Sequence, residues 1–249
     1  MEPQGGMSAP VLEQARARAL AALRAFRDSG MTPAPEPDTA TLRRLMRFVA
    51  GDVGDEYLPL MAHELGIPDD LGAPSWTVDE IAPGRTLDVV VVGAGMSGLV
   101  TAHRLTQAGV RVVVCERNDD VGGVWLENGY PGARLDTANF AYSYSFAQRP
   151  DWPEQFSTRD DIYAYFRAVA DEHDLRRLVR FGHEVTAAVH DGTTGRWTVT
   201  ARDRSGAEVT LDADAVVSAT GQLNRPKLPD VPGRESFAGP AFHTARWRH

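Results

Sequence analysis

Apolar residues along this chain repeat in two ways, and the change falls at Thr86. Before it, Val11 to Arg27 carries Ala and Leu at helical spacing, with Gly30 as a stop and Pro33, Pro35 and Pro37 breaking the chain behind it. The same spacing predicts a second helix over Thr39–Val49, capped by Asp38 or Thr39, and a third over Glu56–Leu65. Pro68 to Pro83 reads as a linker. Beyond Thr86 the apolar residues form short unbroken runs, Leu87–Val92 and Arg111–Glu116, as buried parallel strands do. A helix over Met96–Ala108 lies between them, giving a β-α-β unit of about 30 residues.

Further on, Ser157 or Thr158 is placed to cap a helix over Asp160–Glu172. Glu184–Val189, Arg196–Ala201 and Glu208–Leu211 read as strands, and the turns Asp191–Gly195 and Asp203–Gly206 join them into an antiparallel meander. Ala213–Ala219 is again a buried strand, ending at Gly221. The expected class is α/β: a Rossmann-like domain over residues 83–249, with a parallel sheet and an antiparallel β-meander. An α-helical N-terminal extension and linker, residues 1–82, precedes it.

Composition narrows the setting. Thirty-four acidic residues stand against 26 basic ones, a net charge of −8, which argues against a nucleic-acid or anionic-membrane surface. The single cysteine, Cys115, excludes an internal disulfide and a redox cysteine pair, and it points to a reducing compartment. The N-terminus lacks a basic stretch followed by an apolar one, and no apolar run approaches the roughly 20 residues that span a bilayer. A cytoplasmic protein is expected. His63 stands alone in the helical extension, where an isolated histidine reads as an ordinary surface or core residue.

The first chemistry-bearing motif is Gly93-Ala-Gly95-Met96-Ser97-Gly98, set between strand and helix. Gly93 permits the turn, Gly95 lets backbone approach a pyrophosphate, and Gly98 lets helix and strand pack closely. The helix N-terminus offers free N–H groups and partial positive charge to phosphates. Glu116 ends the second strand, where a carboxylate accepts hydrogen bonds from ribose hydroxyls and repels a 2′-phosphate, disfavouring NADP at this site. Gly122-Gly123-Val124-Trp125 follows, and Val216-Val-Ser-Ala-Thr220-Gly221 closes a later strand. Both features resemble flavoproteins that bind two dinucleotides, which implies FAD rather than NAD here.

Three stretches narrow the resemblance. Tyr130-Pro-Gly-Ala-Arg-Leu-Asp136 and Tyr142-Ser-Tyr-Ser-Phe146 resemble the segment following the pyrophosphate site in Baeyer–Villiger flavin monooxygenases. Phe237-Ala-Gly239-Pro-Ala-Phe-His243-Thr-Ala-Arg-Trp247 is similar to that family's spaced fingerprint. Leu42-Arg-Arg-Leu-Met-Arg-Phe48 and Asp55-Glu-Tyr-Leu-Pro59 resemble the N-terminal extension of the 4-hydroxyacetophenone monooxygenase branch, implying a packing or homodimerisation role. The sequence departs from the pattern at Val124, where many members have Thr, at Leu135 in place of Cys, and at Arg248 in place of Asp or Pro.

The resemblance implies FAD contacts at Gly93, Gly95, Met96, Ser97, Gly98, Glu116, Arg117, Gly123, Val124, Trp125, Asp136, Tyr142, Val185, Thr220 and Gly221. It assigns Asp136 a catalytic role beside the flavin, orienting an arginine. In that family NADPH reduces FAD, and the reduced flavin uses O2 to convert a ketone to an ester or to oxidise a soft heteroatom. A second glycine motif for NADPH does not follow the fingerprint here. The expectation is therefore the FAD-binding portion of such an enzyme, with slow and uncoupled reduction by NADPH. The competing expectation is a non-catalytic FAD-binding fragment, or one half of a split flavoprotein oxidoreductase.

Overall fold

The computed structural model describes residues 7–32, 37–51, 54–64, 70 and 72–248. Pro33, Pro35, Leu65, Pro68 and the side chain of His63, all singled out above, lie outside the described residues. The chain divides into two compact units, Met1–Ile67 and Pro68–His249. Among the described residues no helix is long and apolar enough to cross a membrane.

The first unit is helical. Helix α1 spans Ala9–Asp28, with Pro10 in its first turn, where a missing N–H costs nothing. Gly30, at φ +76°, turns the chain out of it, and the Met31 N–H closes on the Phe26 carbonyl at 3.0 Å. Helix α2 spans Thr39–Ala50; Asp38 caps it by accepting from the Thr41 N–H at 2.8 Å. The third expected helix begins as a 3-10 turn, Asp55–Tyr57, and continues as α3, Leu58–Glu64. Arg43 holds Asp55 through two bonds of 2.8 and 2.7 Å, tying α2 to that turn.

The second unit opens with a short helix, α4 (Val78–Ile81), inside the expected linker. A reciprocal cap explains it: the Thr77 hydroxyl accepts from the Glu80 N–H, and the Glu80 carboxylate accepts from the Thr77 N–H. Strand β1 (Asp88–Val92), helix α5 (Met96–Gln107) and strand β2 (Arg111–Glu116) then form the β-α-β unit. Beyond it lie α6 (Val124–Glu127), α7 (Arg159–Glu172), β3 (Val179–Phe181), β4 (Glu184–Asp191), β5 (Arg196–Arg202), β6 (Glu208–Ala213) and β7 (Ala215–Ser218). The parallel sheet runs in the order β3-β2-β1-β7, and β4-β5-β6 form the antiparallel sheet.

Strand alternation places β1 between two cores. Val89 and Val91 face Leu99, Ala102, Ile162 and Phe166 on the helical side, whereas Val90 packs with Cys115, Val199 and Ala213 toward the meander. The expected strand Ala213–Ala219 is therefore two strands. Ala213 ends β6, and the chain crosses between sheets at Asp214, whose N–H donates to the Asp88 carbonyl while its carboxylate accepts from the Asp88 N–H, both at 2.8 Å. Thr158, not Ser157, caps α7.

One polar group sits within the aromatic packing of this unit. His103 of α5 stacks on Phe146 at 4.2 Å and meets His173 edge-on at 4.6 Å. Burial, then the neighbouring His173 and Arg104, push its pKa from 6.5 down to about 4, with Asp70 opposing. The unfolded chain therefore binds the proton more readily, and stability present above pH 6.5 is lost as pH falls toward 4. His103→Phe, which keeps a stacking ring without the titration, should flatten the dependence of Tm on pH across that window. An unchanged slope would contradict this reading.

Candidate functional site

The Gly93–Gly98 turn is shaped by contacts that leave no room for side chains. A Cβ on Gly98 would lie 1.8 Å from the Gly93 carbonyl oxygen, so β1 and α5 touch backbone to backbone. Gly93 itself is at φ +102°, and a Cβ there would meet the Ala219 carbonyl oxygen at 2.8 Å. Gly95 forms the N-cap of α5 and has no side chain to cap it, so the first-turn N–H groups of α5 have no side-chain partner at the cleft wall. Gly123 faces Gly95 across the turn: a Cβ on Gly95 would lie 3.4 Å from the Gly123 Cα. The Gly122 N–H donates to the Ala94 carbonyl at 3.0 Å and holds the second glycine pair against the first.

These elements open onto a cleft of about 580 Å³. Of the residues expected from sequence, Gly93, Gly95, Met96, Ser97, Glu116, Arg117, Gly123, Val124, Trp125, Tyr142, Val185, Thr220 and Gly221 line it. Gly98 is buried behind the wall, at the helix–strand contact. Asp136 does not line the cleft: it is exposed, and it accepts from the Thr137 hydroxyl at 3.5 Å. Arg134, in the same stretch, pairs with Glu154 and donates to the Phe156 carbonyl, both at 2.6 Å.

At one end of the cleft Glu116 is buried, with Oε2 accepting from the Ala94 N–H at 2.7 Å and Oε1 from the N–H and the amide of Asn118 at 2.8 Å. In the same lining, the Trp125 indole N–H donates to the Tyr142 hydroxyl at 3.0 Å. The Tyr144 hydroxyl donates to the Met96 carbonyl at 2.6 Å and braces the motif helix; burial raises that phenol's pKa. Cys115 lies in the lining as a free thiol whose pKa burial pushes up, so it stays protonated.

Asn118, Glu127, His183 and Glu184 also line the cleft; the first three carry no signal in the hydrophobic pattern, and Glu184 is legible only as a strand start. Glu127 accepts from Arg117 and Asn118, and Arg246 of the fingerprint stretch reaches it at 3.4 Å. His243 of that stretch turns inward on its own backbone, its Nδ1 accepting from the Ala245 N–H at 3.1 Å. Phe242 and Trp247 pack edge to face at 5.0 Å.

A dinucleotide fits this donor set: an uncapped helix terminus and a cradle of glycines for phosphates, with a buried carboxylate at the end of the next strand for a ribose. The profile of the Flavin-binding monooxygenase-like family matches residues 86–249. A Baeyer–Villiger monooxygenase of Streptomyces coelicolor is 46% identical over 163 residues, covering 65% of this chain and 30% of that protein. An uncharacterized monooxygenase of Sinorhizobium fredii is 32% identical over 249 residues, covering 98% of this chain and 36% of that protein. The crystal structure of OTEMO in complex with FAD and NADP superposes with a TM-score of 0.59 at 38% identity, over 66% of this chain and 31% of that one. The chain thus spans about a third of the length of the proteins it matches.

The close contact at Gly98 makes a prediction about stability. Gly98→Ala forces backbone to move and should cost about 2 kcal/mol or more in denaturant unfolding. Gly192→Ala, where an added Cβ meets nothing within 4 Å, should cost less than about 0.5 kcal/mol. Equal costs would show that the helix–strand contact is not tight.

Proposed function

The chain belongs to the Flavin-binding monooxygenase-like family, and on that premise we propose that the Pro68–His249 unit binds FAD with its ADP half in the Gly93–Gly123 cleft. The observation that carries the proposal is the paired glycine cradle at the uncapped N-terminus of α5, with buried Glu116 at the end of the next strand. Bound there, FAD supplies hydride acceptance and oxygen activation. The chain's own part is to hold it. Backbone N–H groups of α5 meet the pyrophosphate, Glu116 accepts from the ribose, and Trp125 and Tyr142 form an apolar wall.

For the whole protein we propose NADPH- and O2-dependent oxidation of a ketone to an ester, or of a heteroatom. The residue assignments extend this reading. Asp136, exposed and away from the cleft lining, acts on the oxygen half-reaction rather than on FAD binding. The helical unit supports a packing or homodimerisation role, because α1 buries no residue and exposes Leu20, Leu23 and Phe26. A cytoplasmic setting agrees with the free thiol of Cys115.

Purification followed by an absorbance spectrum tests the reading. The chain should retain flavin, Gly95→Leu should lose it because the side chain fills the cradle, and Asp136→Ala should retain it. Flavin content unchanged in Gly95→Leu would remove the cleft assignment, and flavin loss in Asp136→Ala would remove the assignment of Asp136.

A further inference from the structure

The ribose end of the cleft holds an arginine among acids. Arg117 directly follows Glu116, and an arginine near the ribose acid is the residue type that accommodates a 2′-phosphate in dinucleotide domains. Here its guanidinium is already engaged, with Nε and Nη2 donating to Glu127 Oε1 at 3.2 and 2.6 Å. The Glu127 side chain is only 13% exposed. The Asn118 amide donates to the same oxygen at 3.0 Å and to Glu116 at 2.8 Å, locking the two carboxylates into one network. Arg246 approaches the second oxygen of Glu127 at 3.4 Å.

Burial opposes charge on Glu127, but the bonds from Asn118 and Arg117 outweigh it and hold the carboxyl below its ordinary range. The bond to Glu127 raises the pKa of Arg117, helped by the nearby charges of Glu127, Glu116 and Glu184. The pair is ionised wherever the protein is folded at neutral pH.

We propose that Glu127 is a specificity residue: by occupying Arg117 it leaves the cleft open to an adenosine ribose with a free 2′-hydroxyl and closed to a 2′-phosphate, the group that marks NADPH. The proposal rests on the dinucleotide reading of the cleft and adds the residue that excludes the wrong nucleotide. A 2′-phosphate can gain Arg117 only by stripping it from a mostly buried carboxylate, which then keeps only the Asn118 amide and the longer Arg246 contact beside Glu116. The incoming dianion also meets Glu116 and Glu184, which line the same cleft. Discrimination thus comes from repulsion and from a donor already spent, rather than from contacts favouring the right ligand.

Adenosine 5′-monophosphate and adenosine 2′,5′-bisphosphate differ only in the 2′-phosphate, and their Kd values on the purified, flavin-free chain read the effect by calorimetry. The wild type should prefer the monophosphate by roughly tenfold or more. Glu127→Gln should narrow that ratio roughly fivefold, and adding Arg117→Ala should restore it. Arg117→Ala alone should change both affinities by the same factor, within about twofold, because the guanidinium is already engaged. That comparison decides the matter even where Glu127→Gln does not fold.

An unchanged ratio in folded Glu127→Gln, or a selective loss of bisphosphate binding in Arg117→Ala, overturns the proposal while the cleft assignment stands. A folded wild type that binds neither nucleotide overturns the cleft assignment and the proposal together.

Discussion

Gly98 lies against the carbonyl of Gly93 with no room for a side chain, and the site is built on that contact. Because neither residue carries a side chain, α5 leaves β1 within one turn and lies directly on the sheet. That brings the uncapped end of the helix to the C-terminal edge of β1, next to the ends of β2 and β7. Gly122 is then hydrogen-bonded to Ala94, which sets Gly123 opposite Gly95. A side chain at Gly98 would push the helix outward and separate all of these at once.

Two kinds of polar chemistry are held on that frame. Near the helix terminus the donors are backbone N–H groups, suited to phosphate oxygens and free of side-chain entropy. Near the end of β2 the groups are carboxylates in a bonded network, Glu116 and Glu127 joined by Asn118 and balanced by Arg117 and Arg246. The cleft thus offers free backbone N–H groups to phosphates and an ion-paired carboxylate network to the ribose, which matches a nucleotide whose negative charge lies only in its pyrophosphate.

How far the sequence reveals this depends on whether the signal is local. The valine run of β1 is legible because the strand is buried on both faces, and Glu116 is legible because it ends the neighbouring run. β3 has three residues, too few for any period, so His183 behind it carries no signal, and Glu184 is legible only as the start of the next strand. The passage from β6 to β7 hides within the expected strand Ala213–Ala219, at Asp214, whose partner Asp88 lies 126 positions away. Glu127 and Asn118 converge from a helix and a loop, an arrangement with no repeat to detect. Asp136 came from motif resemblance alone, and nothing in its local sequence foretold its exposure.

In this reading the adenosine and pyrophosphate half of the flavin supplies most of the binding energy in this chain. Titration of the purified, flavin-free chain with FAD and with FMN, followed by flavin fluorescence, measures this directly, since FMN lacks the adenosine and one phosphate. FAD should bind tighter than FMN by roughly a hundredfold or more. Equal affinities would place recognition on the isoalloxazine and contradict it.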